Sequence, residues 1–148
     1  MTLTDPQSTP TPDEPGGTAT LTQWGVDIPG LEAADLRPVK WQLYLSLTGL
    51  ALGALMGILQ ALERLDVNLY EEVGLETYYQ GLTLHGVALA LVFTFTFGNA
   101  FCSVTTMKGF GRPLASRAMS TASMYCAWGG VALAAWAILA NKATVLFT

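Results

Sequence analysis

The fold class this sequence predicts is all-α and membrane-integral: three transmembrane helices behind a disordered N-terminal tail. Three observations carry that expectation. Half of the 148 residues are hydrophobic and only 12% are charged, with a mean hydropathy of +0.41, which lies outside the ordinary soluble range. The chain holds three stretches free of charged residues, Trp41–Leu62, Thr77–Met107 and Ala118–Asn141. Wound as helices rising about 1.5 Å per residue, each is long enough for the roughly 30 Å hydrocarbon core. Together they leave no length for a separate water-soluble catalytic domain.

Residues 1–36 read as a tail and pre-membrane segment. From Met1 to about Thr22 the chain is rich in Thr, Pro, Asp and Gly and has too little apolar surface to offset ordering entropy, so disorder is expected. A secretory signal needs a basic start and an apolar run, whereas Asp5, Asp13, Glu14 and several prolines stand here. The first span is therefore expected to act as an uncleaved insertion signal. The transmembrane region then covers 37–148, with helices over about 41–62, 77–107 and 118–141. In the first, Gly49, Gly53 and Gly57 recur every four residues, a ridge that lets another helix backbone approach closely, within this chain or in a larger bundle. The second is long enough to overshoot both faces or to cross at a tilt. The third carries Gly129, Gly130 and many alanines and can pack on several sides. Cys102 and Cys126 fall inside spans, which argues against a disulfide framework or a metal-thiolate motif and reads them as small packing residues.

Arg37 and Lys40 precede the first span, and Lys108, Arg112 and Arg117 occupy the loop between the second and third. Such flanks are expected to face the cytoplasm. The opposite side offers Arg64 and Lys142 against Glu63, Asp66, Glu71, Glu72 and Glu76, which puts the N-terminus inside and the C-terminus outside a multi-pass protein of the cell membrane. Trp41 and Tyr44 at one boundary, and Tyr70, Tyr78 and Tyr79 at the other, suit the aromatic belts at headgroup depth. The net charge of −4 leaves no basic surface for nucleic acid.

The sole histidine, His85, lies inside the second span, where an ionisable group is costly enough that it usually faces the bundle interior with a defined partner. Three roles suit it: a neutral imidazole bonded to a neighbouring helix, a metal or haem ligand, or a proton relay. At 3.6 residues per turn Gly81 and Ala88 share its side and Gly86 is adjacent, forming a shallow notch in which a flat macrocycle could lie. Thr96, Asn99 and Ser103 continue within about 40° of the same face, and interhelical hydrogen bonding is the preferred account of them over a proton or water path. Phe93, Phe95, Phe97 and Phe101 cover other sides as lipid or core contacts. About two turns separate His85 from Thr77, which places it in the outer third of the bilayer, within reach of an electron donor at the outer surface. A six-coordinate haem needs a second axial ligand, typically His or Met. Met56, Met119 and Met124 are formal candidates; otherwise another polypeptide, a continuation of the chain or the His85 of a second copy supplies it.

The string Tyr78-Tyr79-Gln80-Gly81-Leu82-Thr83-Leu84-His85-Gly86 resembles the second helix of subunit I of haem-copper oxidases, most closely the B-type, or ba-type, cytochrome c oxidases. A second patch, Leu139 to Thr148, resembles the end of their third helix and the loop after it, and the helix spacing fits from about Trp41 onward. The resemblance implies that His85 is an axial ligand of the low-spin haem b, which takes electrons from the copper site of subunit II. It implies that the second axial histidine, the high-spin haem and copper ligands, the tyrosine of the oxygen-reducing centre and the proton-uptake residues lie on later helices, beyond Thr148. The chain then looks like the first quarter or so of a subunit, with a fourth helix expected to follow.

The partners so implied are the remaining helices of subunit I, subunit II, and cytochrome c or a small copper protein as electron donor. The activity so implied is reduction of oxygen to water coupled to proton translocation, which this segment cannot perform alone. Nitric oxide reductase, a relative with the same low-spin haem and iron in place of copper, is a second enzyme reading. A non-enzymatic membrane anchor, in which two His85 side chains of a homodimer clamp one haem, is the third.

Overall fold

The computed structural model describes residues 28–140 and 142. The tail before Ile28 and most of the second family-like patch lie outside the described residues. Three long apolar helices succeed one another: α1 (Ala33–Glu63), α2 (Tyr78–Phe110) and α3 (Arg117–Leu139), each long and apolar enough to cross a membrane. No strand occurs among the described residues.

α1 and α2 run past their charge-free stretches, α1 through Arg37, Lys40 and Glu63 and α2 through Lys108, because the backbone can stay helical beyond the apolar run, whereas α3 ends at Leu139, short of Asn141. α1 starts eight residues before Trp41, where the Glu32 N–H donates to the Asp35 carboxylate at 3.0 Å. Pro38 sits within its second turn, where the missing N–H leaves the Ala34 carbonyl without its helical donor. α2 is capped by Thr77, whose hydroxyl accepts from the Gln80 N–H at 3.2 Å. It ends at Gly111, whose φ of +61° is the left-handed conformation glycine adopts freely. α3 begins at a second hydroxyl cap, Ser116 Oγ accepting from the Met119 N–H at 3.2 Å.

Between Val87 and Phe93, α2 winds as a π-helix, flanked by α-helical Tyr78–Gly86 and Thr94–Phe110. Its wider turns break the 3.6-residue spacing on which a single polar face from His85 to Ser103 was expected. The polar residues go separate ways: Thr96 donates to Val92 O at 2.6 Å, Ser103 donates to Asn99 O at 2.8 Å, and Asn99 reaches across to Ser123 Oγ at 3.1 Å.

The glycine ridge of α1 is used inside the chain. A Cβ at Gly49 would lie 2.8 Å from Val92 Cγ1, and one at Gly53 would lie 2.6 Å from the Leu89 side chain, so glycine lets α1 approach α2 this closely without displacing those side chains. Two apolar clusters close the ends of the pair. Ile28, Leu31, Leu36, Val39, Ala100 and Met107 form one, and Met56, Leu59, Tyr70, Leu75, Leu84 and Ile138 the other.

α3 is held more thinly, with Met124 and Ile138 its buried residues. Arg117 ties its start to that of α1, donating to Asp35 Oδ1 and Glu32 Oε2, each at 2.7 Å. Cys102 and Cys126 lie in helices, as expected, and are free thiols exposed on the surface of the three helices.

Candidate functional site

His85 sits eight residues into α2, half-buried against α1. Its ring lies over Gly57, where a Cβ would stand 3.0 Å from Cε1 and 3.2 Å from Nδ1. The missing side chain exposes the Gly53 carbonyl one turn earlier, and His85 Nδ1 approaches that oxygen to 2.7 Å. A carbonyl oxygen only accepts, so the proton is on Nδ1. In the neutral imidazole Nε2 then carries the free lone pair, and it has no hydrogen-bond partner among the described residues. A backbone carbonyl that fixes tautomer and ring orientation in this way is the outer-shell partner that metal-ligating histidines characteristically have.

Around this ring the ends of the helices are tied together by amide side chains. Gln60 Nε2 donates to Gly81 O at 3.4 Å, and the almost wholly buried Gln80 donates to Ile138 O at 2.8 Å and Leu139 O at 3.2 Å. Gln80 Oε1 accepts from the Glu76 N–H at 2.8 Å, so one amide links the loop, α2 and the end of α3. Tyr70 fills the space over Gly81, where a Cβ would meet its Cε1 at 2.5 Å. Burial pushes the Tyr70 hydroxyl up to about 12, helped by the nearby Glu63 carboxylate.

The small residues expected to form a notch beside His85 are divided. Gly81 faces Tyr70 and Ala88 packs against Gly53 and Gly49, while a Cβ at Gly86 would meet nothing within 4 Å. Small residues on a helix serve close approach as readily as an open cleft, and here two of the three serve it. Sequence reasoning singled out His85 but missed Gly57, Gly53 and Gln80 as its setting. The four-residue glycine period was the available signal, yet only helix pairing reveals which glycine meets the ring. Met56 is buried in the cluster at this end, Met124 is buried on α3, and Met119 is exposed near the start of α3. Among the described residues no group of three or more His, Cys, Asp or Glu side chains comes together that could hold a metal ion.

An all-helical membrane protein whose intramembrane histidine offers one bare ring nitrogen is the class that fold and site define. The chain belongs to the cytochrome c and quinol oxidase polypeptide I family, whose sequence profile matches residues 37–148. It is 38% identical over 112 residues to cytochrome c oxidase subunit 1 of Thermus thermophilus, covering 72% of this chain and 20% of that relative. It thus spans about a fifth of the length of the curated relative it matches. No solved structure matches it.

Proposed function

We propose that His85 supplies one axial nitrogen, Nε2, to a low-spin haem b in an oxygen-reducing oxidase. The observation that carries this reading is the 2.7 Å contact from His85 Nδ1 to Gly53 O, which in the neutral ring selects the tautomer with Nε2 free. The donor set fits a haem: one imidazole, half-buried in an apolar helix pair, with the open surface of Gly86 beside it. A haem so held would supply a one-electron carrier. The chain's own residues set the ring: α1 holds its azimuth through Gly53, and the missing side chain of Gly57 leaves room for it. Gln80 and Gln60 anchor the surrounding helix ends.

The second axial ligand, and the ligands of a high-spin haem and copper, would come from outside this chain's single histidine. On this reading the working partners are further helices of subunit I, a subunit II with its copper site, and cytochrome c or a small copper protein. The name of the Thermus relative favours the oxidase over a nitric oxide reductase. The test is a reduced-minus-oxidised spectrum of the assembled complex. His85→Ala is expected to remove the low-spin haem band from complex that still assembles on a native gel. An unchanged band in such complex would sink the assignment.

A further inference from the structure

Away from His85, the N-terminal half of α1 and the C-terminal half of α2 leave an apolar groove of about 360 Å³ between them. Leu43, Phe97, Phe101 and Val104 wall it, and Lys40 and Lys108 line it from opposite helices. Phe97 and Phe101 stack with centroids 6.2 Å apart, giving α2 a continuous aromatic wall. Both lysines are exposed, and neither forms an ion pair among the described residues. The described acids at this end, Glu32 and Asp35, are both engaged by Arg117.

We propose that this groove binds one anionic phospholipid, an acyl chain against the Phe97–Phe101 wall and the phosphate at Lys40 and Lys108. Charge selects the occupant: lysines at a membrane boundary lay their stems on apolar surface and carry the ammonium to the headgroups, where a phosphate complements two cations that are unpaired among the described residues. The inference rests on the membrane-spanning helices and is independent of haem ligation at His85.

The test uses the native complex containing this chain, reconstituted with phosphatidylglycerol or phosphatidylcholine carrying a photoactivatable acyl chain, and maps the labelled peptides by mass spectrometry. Phosphatidylglycerol is expected to label the peptides around Leu43 and Phe101, and phosphatidylcholine to label them far less. Lys40→Gln with Lys108→Gln should lower the phosphatidylglycerol signal roughly thirty-fold, about five-fold for each lysine beside an anionic headgroup. Val104→Trp, which fills the groove, should remove it. Equal labelling by the two lipids in the unaltered complex overturns the proposal, as does labelling indifferent to the lysine pair. Cross-linking of the groove to another polypeptide instead of lipid also overturns it.

Discussion

If His85 binds haem as proposed, Gly57 is a positioning residue, and its substitution separates positioning from packing. In Gly57→Ala the new Cβ would stand 3.0 Å from His85 Cε1, so the ring must give by a few tenths of an ångström and its bond to Gly53 O must loosen. A shifted low-spin band and midpoint potential in assembled complex are expected, whereas a merely structural role would lower thermal stability and leave the spectrum alone. Gly57→Leu leaves no room for the ring and should lose the band as fully as His85→Ala. Tyr70 gives a second prediction. Its hydroxyl is buried beside the Glu63 carboxylate without a hydrogen bond of good geometry. Its folded pKa, about 12, lies above the ordinary 10, so its stabilising contribution is whole below pH 10 and is lost as pH rises toward 12. Thermal midpoints followed through that window should fall less steeply in Tyr70→Phe. At this scale His85 was legible because an ionisable side chain in an apolar run has few explanations. Its partner was not, because which residue of α1 faces it depends on the register of two helices.

Helix pairing makes its own prediction through the glycine ridge. A Cβ at Gly49 would meet Val92, a β-branched side chain with little rotamer freedom, and would lie 3.1 Å from the Ala88 carbonyl oxygen. One at Gly53 would meet Cγ and Cδ2 of Leu89, a side chain unbranched at Cβ with more rotamer freedom than Val92. Gly49→Ala should therefore destabilise the α1–α2 pair more than Gly53→Ala, within the range of about 1–3 kcal/mol usual for overpacking, as measured by detergent or thermal unfolding. The clamp at Arg117 predicts a similar ordering. Asp35 is nearly buried while Glu32 is largely exposed, so Asp35→Asn should lower the thermal midpoint more than Glu32→Gln, and added salt should shrink the Glu32 effect first. The three spans themselves were legible, since a long uncharged run has few other uses. Their ends were not, because α1 and α2 stay helical through charged residues. The π-helical turn from Val87 to Phe93 was invisible, because its hydrogen-bond pattern leaves no mark in an all-apolar composition.

Over the whole molecule, charge is sorted by end, and that sorting predicts the orientation on which the depth of His85 depends. Arg37, Lys40, Lys108, Arg112 and Arg117 gather where α1 starts and α2 ends, while Glu63, Asp66, Glu71, Glu72 and Glu76 gather at the other side. The excess of Lys and Arg favours the cytoplasmic face for the first group. His85 lies seven residues after Tyr78, the first residue of α2, which is about 10 Å along the helix from the acidic loop; it is twenty-five residues, nearly 40 Å, from Phe110. If the acidic loop is outside, an electron donor at the outer surface has a short path to a haem on His85; if it is inside, that donor faces the far end of the helix. With Cys102 and Cys126 replaced by Ser, a cysteine placed by Glu72→Cys should react with a membrane-impermeant maleimide in intact cells. One placed by Arg112→Cys should react only after the cells are opened. The reverse pattern would move the His85 end of α2 to the cytoplasmic side and remove the donor arrangement proposed here, whatever the ring itself binds.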